Sequence, residues 1–275
     1  MFKTTITKSI IFTFFFFISV LILNAQNNEQ NVYKLSDELT VTQIDTNIYL
    51  VAHSFPGEAN SLVIKFKNGE YLFIDTPYTD EATEELCKWL QSRDENKIHV
   101  TAINTHFHID NLGGNGYLEK TGADVYGSDL TCKLLKERGL GNGMLDMLKS
   151  SHFDKCRNYY ENVKLLPPNK TFTLDKGITL KFDDDAVIVF YPGPGHAPDN
   201  VAVYYPAKQL LFGGCLVKSM ETNSKGNTGD ADLEHWASSL QNLQNRFPDA
   251  KIVIPGHGKI GDISLIKHSI EIVSQ

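Results

Sequence analysis

Basic residues are in short supply in this chain of 275 residues: 26 Lys and Arg stand against 33 Asp and Glu, a net charge of −7. A nucleic acid or an anionic membrane surface is met by a basic face, so the balance argues against both as partners. Cysteine is scarce as well, with only Cys87, Cys132, Cys156 and Cys215. An even count permits disulfides in an oxidising compartment, but the spacing is wide and irregular. If one of the four is a metal ligand, at least one other is free or pairs between chains. Linkers, short-period repeats and low-complexity blocks are absent after residue 25.

Long apolar runs are absent too, with one exception at the start. Ile10 to Leu23 is interrupted only by Thr13 and Ser19; Lys3 and Lys8 precede it and Leu23-Asn24-Ala25 ends it. A charged region, an apolar region and a small residue before Gln26 make residues 1–25 a secretory signal, cut near Ala25/Gln26. The run is short for a membrane span of about 20 residues. No cysteine lies near the cut to carry a lipid. The expectation is export to the periplasm with no membrane anchor. Residues 26–275 then carry 24 basic and 33 acidic side chains, a net −9. Their length suits one domain around a single sizeable core.

The first third of that segment reads as β-structure. Leu39 to Asp45, Asn47 to His53, Ser61 to Lys67 and Glu70 to Asp75 are short runs rich in Val, Ile and Tyr, and Asn68-Gly69 predicts a type I′ hairpin. A helix is predicted over Thr79 to Arg93, then a buried strand over His99 to Asn104. Short helices at 114–121 and 128–138 flank a strand at Ala123 to Tyr126, and Gly139 to Gly143 reads as a flexible joint. The second half repeats the style, with strands at 178–182, 186–191, 201–205, 209–212 and 251–254. A polar loop spans Lys218 to Gly229. Helices are expected from Asp232, with Leu233, Trp236, Leu240 and Leu243 as core contacts, and over Ile263 to Val273. Two β-rich halves, each adding helices, predict an α/β protein with two sheets face to face and helices outside.

The polar candidates cluster where these strands end. Thr105-His106-Phe107-His108-Ile109-Asp110 follows one strand. Spaced two apart, its imidazoles and carboxylate cannot share a helix face, but in a tight loop they can converge. Imidazole and carboxylate suit a borderline cation such as Zn²⁺. Gly193-Pro194-Gly195-His196, Gly213-Gly214-Cys215 and Pro255-Gly256-His257 follow three other strands. Each alone could be a loop histidine, a buried thiol or a turn. Four such strand ends in one chain point to a shared site on one sheet edge. His53, His99, His152, His235 and His268 lack that setting and read as ordinary histidines.

His-x-His-x-Asp, Gly-His, Gly-Gly-Cys-x-x-Lys and Pro-Gly-His, in that order, resemble the metallo-β-lactamases, specifically the di-zinc subclass with a cysteine ligand. The resemblance covers essentially all of residues 26–275. It implies a four-layer αβ/βα sandwich with two Zn²⁺ per chain, in a groove at the sheet edges. By the same resemblance His106, His108 and His196 hold the first zinc, and Asp110, Cys215 and His257 the second. Three neutral imidazoles leave a tetrahedral zinc one open position, the mark of a catalytic site. The implied reaction is hydrolysis of penicillins, cephalosporins and carbapenems, giving β-lactam resistance, by a metal-bridging hydroxide that attacks the lactam carbonyl. Asp110 would orient that hydroxide, and Asn227 would polarise the carbonyl oxygen. Lys218, a solvated lysine by composition, would hold the substrate carboxylate. Asp75 resembles the family's acid behind the ligands, and Phe55-Pro56-Gly57 its mobile apolar flap, with Phe55 touching substrate. Related thioesterases, lactonases and nucleases typically carry a histidine after the motif aspartate and an aspartate at the cysteine position, where this chain has Asn111 and Cys215. A flavo-diiron enzyme would need Glu in place of His108. An exported zinc module without turnover would close its coordination shell. The implied partner is a small β-lactam, and the implied state a monomer.

Overall fold

Strict alternation along the strands sorts the apolar side chains into layers. In the strand Glu70–Ile74, Leu72 and Ile74 face one way and Tyr71 and Phe73 the other, and they enter two different cores. In Leu210–Gly214, Leu210 and Phe212 share the first of these cores, while Leu211 enters a third. A strand with both faces apolar is one covered on both sides.

The computed structural model describes residues 31–55, 57–150 and 153–275, so the expected signal over 1–25, Pro56 and His152 lie outside them. The first sheet has eight strands in sequence order: β1 (Val32–Lys34), β2 (Leu39–Asp45), β3 (Ile48–Ser54), β4 (Glu58–Lys65), β5 (Glu70–Ile74), β6 (His99–Ile103), β7 (Asp124–Ser128) and β8 (Lys170–Phe172). It is antiparallel as far as β5 and parallel from β5 to β8. The second sheet has the order β13-β12-β11-β10-β9, built from β9 (Ile178–Phe182), β10 (Asp185–Phe190), β11 (Ala202–Tyr205), β12 (Leu210–Gly214) and β13 (Ile252–Pro255).

Ile48, Leu62, Leu72 and Ile103 of the first sheet meet Val187, Val203, Phe212 and Ile254 of the second, forming the central core. Helices α1 (Asp80–Gln91) and α3 (Asn115–Thr121) cover the first sheet's outer face through Leu86, Leu90 and Leu118. Helices α7 (Trp236–Arg246) and α8 (Ser264–Val273) cover the second through Trp236, Leu240 and Ile266. The layers run helix, sheet, sheet, helix, which is the αβ/βα sandwich expected.

Cap chemistry sets several boundaries. Thr79 accepts from the Ala82 amide at 3.1 Å and opens α1. Ser128 accepts from the Thr131 amide at 2.9 Å and opens α4 (Asp129–Arg138). Two expectations are corrected. Asn68 does not have a positive φ, so the β4–β5 hairpin is not type I′; only Gly69 is left-handed. The Asn68 side chain instead accepts from the Glu70 amide at 3.0 Å, which holds a turn over 66–69. Leu233 is no core residue: it is 49% exposed, because α7 begins only at Trp236. Three short helices have no counterpart in the sequence reading: α2 (Ile109–Leu112), α5 (Asn142–Met147) and α6 (Arg157–Asn162). All four cysteines are free. Among the described residues no helix is long and apolar enough to cross a membrane.

His53 is a buried histidine of the first sheet whose Nδ1 accepts the Tyr78 amide at 3.0 Å. Burial pulls its pKa from the usual 6.5 down to about 4. Between those pH values the unfolded chain binds a proton that the folded chain refuses. Stability is therefore complete above pH 6.5 and falls as pH drops toward 4, by up to about 3 kcal/mol from this ring. In urea unfolding of metal-free protein, His53→Asn, which keeps an acceptor for the amide, should flatten that acid slope. An unchanged slope would show that His53 titrates normally.

Candidate metal centre

One loop supplies half of the site. β6 ends at Ile103, and the backbone turns through Asn104–His108 into α2. Alternate side chains face opposite ways, so His106 and His108 enter the ligand cluster while Phe107, fully buried, packs with Leu112, Leu134 and Ala197. The loop is pinned from behind by Asp75, which ends β5 with a left-handed φ of 61°. Its carboxylate accepts the Thr105 amide at 2.7 Å and the Thr105 hydroxyl at 2.8 Å. Burial raises the Asp75 pKa well above the usual carboxylate range, against those two donors.

The second sheet brings the rest. His196 follows β10, Cys215 follows β12 and His257 follows β13. β12 and β13 are parallel neighbours, and the Gly256 amide donates to the Gly214 carbonyl at 2.7 Å. A Cβ on Gly256 would stand 2.4 Å from the Cys215 sulfur, so only glycine lets the two loops close. Asn60 of β4 ties the sheets together here. Its backbone amide donates to the Gly256 carbonyl and its side-chain amide to the Pro255 and Gly258 carbonyls, at 2.8–2.9 Å.

Six donor atoms converge as a result. His108 Nδ1 lies 3.0 Å from His106 Nε2 and 3.2 Å from His196 Nε2. Cys215 Sγ lies 3.4 Å from both Asp110 Oδ2 and His257 Nε2, and the last two are 3.3 Å apart. These residues fall into overlapping groups whose ligand atoms all lie within 4.8 Å of one another: His106, His196 and Cys215; His106, His108 and Asp110; Asp110, Cys215 and His257.

The charge states suit a cation. Burial lowers the His106 pKa to about 3 and His196 well below its usual value, leaving neutral imidazoles with lone pairs free. Burial also works to raise Asp110, but the hydrogen bond from His257 and the nearby histidines hold it below the ordinary range. Burial, with the Asp110 charge added, raises the Cys215 thiol, which a metal would deprotonate. Soft sulfur, imidazole and carboxylate in one cluster form a donor set that fits zinc.

Behind the ligands sit groups that sequence reading missed. His108 Nε2 lies 3.3 Å from the fully buried carboxylate of Asp230, which fixes the tautomer and leaves Nδ1 for the cluster. Arg138 of α4 meets the other Asp230 oxygen at 3.0 Å. The Asn111 amide lies 3.1 Å from His106 Nε2 and donates to Asp110 at 3.0 Å. Asp230 is 122 positions from His108, so no local pattern could reveal it.

The cluster opens on a groove of about 260 Å³, whose lining includes His108, Asp110, His196, His257, Lys218 and Asn227. Lys218 is almost fully buried, its Nζ 4.9 Å from the centre of the Trp236 ring. Burial lowers its pKa, opposed by Cys215 and Asp110. Asn227 donates to Met147 Sδ at 3.4 Å. A Cβ on Gly143 would lie 1.9 Å from Asn227 Oδ1, so α5 is seated directly on that loop. Met144, Met147, Phe153 and Tyr160, from the 142–162 segment, give the groove an apolar wall. Phe55 is not in that lining. Its ring packs 5.6 Å from Tyr160 and 5.2 Å from Tyr159, in an aromatic cluster behind the wall. Of the turn that carries it, Gly57 reaches the groove. His99, His235 and His268 contribute nothing to the cluster; His268 Nε2, for example, meets the Thr222 carbonyl at 2.9 Å. A second cleft, about 520 Å³ between α1, α3 and β6, contains none of the six ligand residues.

Comparison with known proteins agrees with this geometry. The model of the metallo-beta-lactamase superfamily matches residues 55–257. A metallo-beta-lactamase type 2 of Bacteroides fragilis is 32% identical over 268 residues, covering 96% of both chains. One from Bacillus cereus is 30% identical, over 86% of this chain and 82% of its own. The structure of a metallo-beta-lactamase from Pontibacter korlensis superposes with a TM-score of 0.72 at 32% identity, covering 86% of this chain and all of that one. With the sandwich, the converging donors and these relatives together, the chain belongs to the metallo-beta-lactamase family of zinc-dependent hydrolases.

Proposed function

We propose that the chain holds two zinc ions and opens the β-lactam ring of penicillins, cephalosporins and carbapenems, conferring β-lactam resistance. The observation that carries this reading is the meeting of six zinc-type donor atoms on the floor of a groove lined by a buried lysine. His106, His108 and His196 would hold one ion, and Asp110, Cys215 and His257 the other. Bound there, the pair would supply an acidified water as nucleophile at neutral pH and positive charge for the oxygen and nitrogen of the lactam.

The chain's own groups do the positioning. Asp110, held ionised, orients the attacking water. Lys218, buried beside the ligands, binds the carboxylate that common β-lactams carry. Asn227 has one amide hydrogen on Met147 and would offer its other to the lactam oxygen. Asp75 and Asp230 keep the ligand loop and His108 in place. A groove with one buried cation and one apolar wall matches a substrate with a carboxylate and an apolar side group. The same reading has residues 1–25 removed at export and the remainder acting as a monomer in the periplasm.

Purified protein should contain two zinc ions per chain by elemental analysis and lose hydrolysis of a chromogenic cephalosporin on chelation. Full turnover by metal-free protein would end the proposal. Cys215→Ser should leave one tight and one weak zinc in a competition titration, since a hydroxyl stays protonated where a thiolate ligates. Two unchanged affinities would remove Cys215 from the site.

Lys218→Ala should raise KM more than it lowers kcat, because its carboxylate contact exists before and during reaction. A charge-assisted hydrogen bond of about 1.5–3 kcal/mol puts the loss in kcat/KM at roughly ten- to a hundred-fold. Lys218→Arg should recover part of it, as a planar fork cannot place its charge where an ammonium does. An unchanged KM would return Lys218 to a structural role.

A further inference from the structure

Tyr78 is the one groove residue whose polar group the reading above leaves without a task. It follows β5 by four residues and is 5% exposed. It lines the groove together with Asp110, Lys218 and His257. Its backbone is tied down: the amide donates to His53 Nδ1 at 3.0 Å. Its ring is held by His53, with centroids 5.7 Å apart, and by Phe55 at 6.5 Å. Among the described residues its hydroxyl meets no hydrogen-bond partner, yet the oxygen is not among the sealed, unsatisfied atoms of the interior. The neighbouring Tyr160 spends its own hydroxyl on the Phe55 carbonyl. A buried phenol with a fixed ring and a free hydroxyl open to a groove is a preplaced donor.

We infer that the Tyr78 hydroxyl donates a hydrogen bond to the side-chain amide carbonyl of penicillins and cephalosporins, making Tyr78 a specificity-determining residue; this rests on the β-lactamase reading above. Its place decides the acceptor. Tyr78 shares the groove lining with Asp110, on the reacting floor, and packs in one cluster with Phe153 and Tyr160 of the apolar wall. In an acylamino β-lactam, the amide carbonyl is the polar link between the reacting ring and the apolar side group. Carbapenems carry a short hydroxyalkyl group there and have no such carbonyl. Burial raises the Tyr78 pKa well above its usual value, with the Asp110 charge adding to it, so the group stays a donor at every working pH.

Tyr78→Phe keeps the ring and removes only the hydroxyl. In the zinc-loaded enzyme it should raise KM for benzylpenicillin roughly three- to ten-fold, as loss of one neutral hydrogen bond would. The kcat for penicillin, both constants for a carbapenem and the zinc content should stay within about twofold. Tyr78→Leu, which removes the ring too, should impair both substrate classes. An unchanged penicillin KM in Tyr78→Phe, or an equal loss on both classes, overturns the inference. Wild-type protein that turns over neither substrate overturns the β-lactamase reading instead.

Discussion

Three imidazoles whose ring nitrogens crowd together, two of them (His106 and His196) kept neutral by burial, form an arrangement no isolated peptide would hold. His106, His108 and His196 nonetheless place ring nitrogens 3.0–3.2 Å apart. Crowding of this kind needs a rigid frame, and a cation shared among the donors would relieve it. The sandwich supplies that frame. Its central core locks the two sheets together, and every ligand sits within seven residues of a strand end. Rigid strands beneath short loops are how a protein fixes side chains closely without spending many residues on it.

The frame needs its own clamps, and each is a buried polar group with an assigned partner. Asp75 holds the His106 loop through Thr105, Asp230 holds His108, and Asn60 holds the strand end before His257. Removing a partner from any of them would strand a buried donor or acceptor, which costs about 1–3 kcal/mol. That cost falls on the ligand loops themselves, so ligand placement and local stability are coupled. Asp230 adds a second link. It ties α4, through Arg138, and the start of α5, through the Gly143 amide, to the same histidine that faces the cluster.

Much of this was legible in the sequence, for physical reasons. Burial of both sheet faces writes itself as runs of Val, Ile, Leu and Phe, so β2 to β5 and β9 to β13 stood out. Helices α1, α4 and α8 were placed from the sequence, α1 by its apolar face, while the caps at Thr79 and Ser128 came only with the structure. The ligand motifs were legible because glycines beside histidine and cysteine mark close backbone approach, as Gly256 against Cys215 does. What stayed hidden was set by tertiary contact. Helices α5 and α6 have six residues each, too few to show a period, so the wall of Met144, Met147, Phe153 and Tyr160 left no trace. Asp230 and Asn60 act across 122 and 195 positions, beyond any local pattern. Phe55 was placed on the groove because its loop resembles a flap, but an aromatic ring with Tyr159, Tyr160 and Tyr78 within reach is drawn inward by them.

That inward turn has a consequence for how the groove works. With Phe55 committed to the aromatic cluster, the apolar wall comes from Met144 and Met147 of α5, from Phe153 and from Tyr160 of α6 rather than from a projecting hairpin. Two of its members are methionines, whose unbranched, polarizable side chains adapt to different apolar partners at small cost. The opposite character belongs to the floor, where buried imidazoles, carboxylate and thiol hold fixed positions. Met147 joins the two regimes, since its sulfur accepts the Asn227 amide while Asn227 itself packs on Gly143. The wall is thereby keyed to the loop that carries Lys218 and Asn227. A site built this way holds its ligand floor constant while the apolar wall beside it can yield.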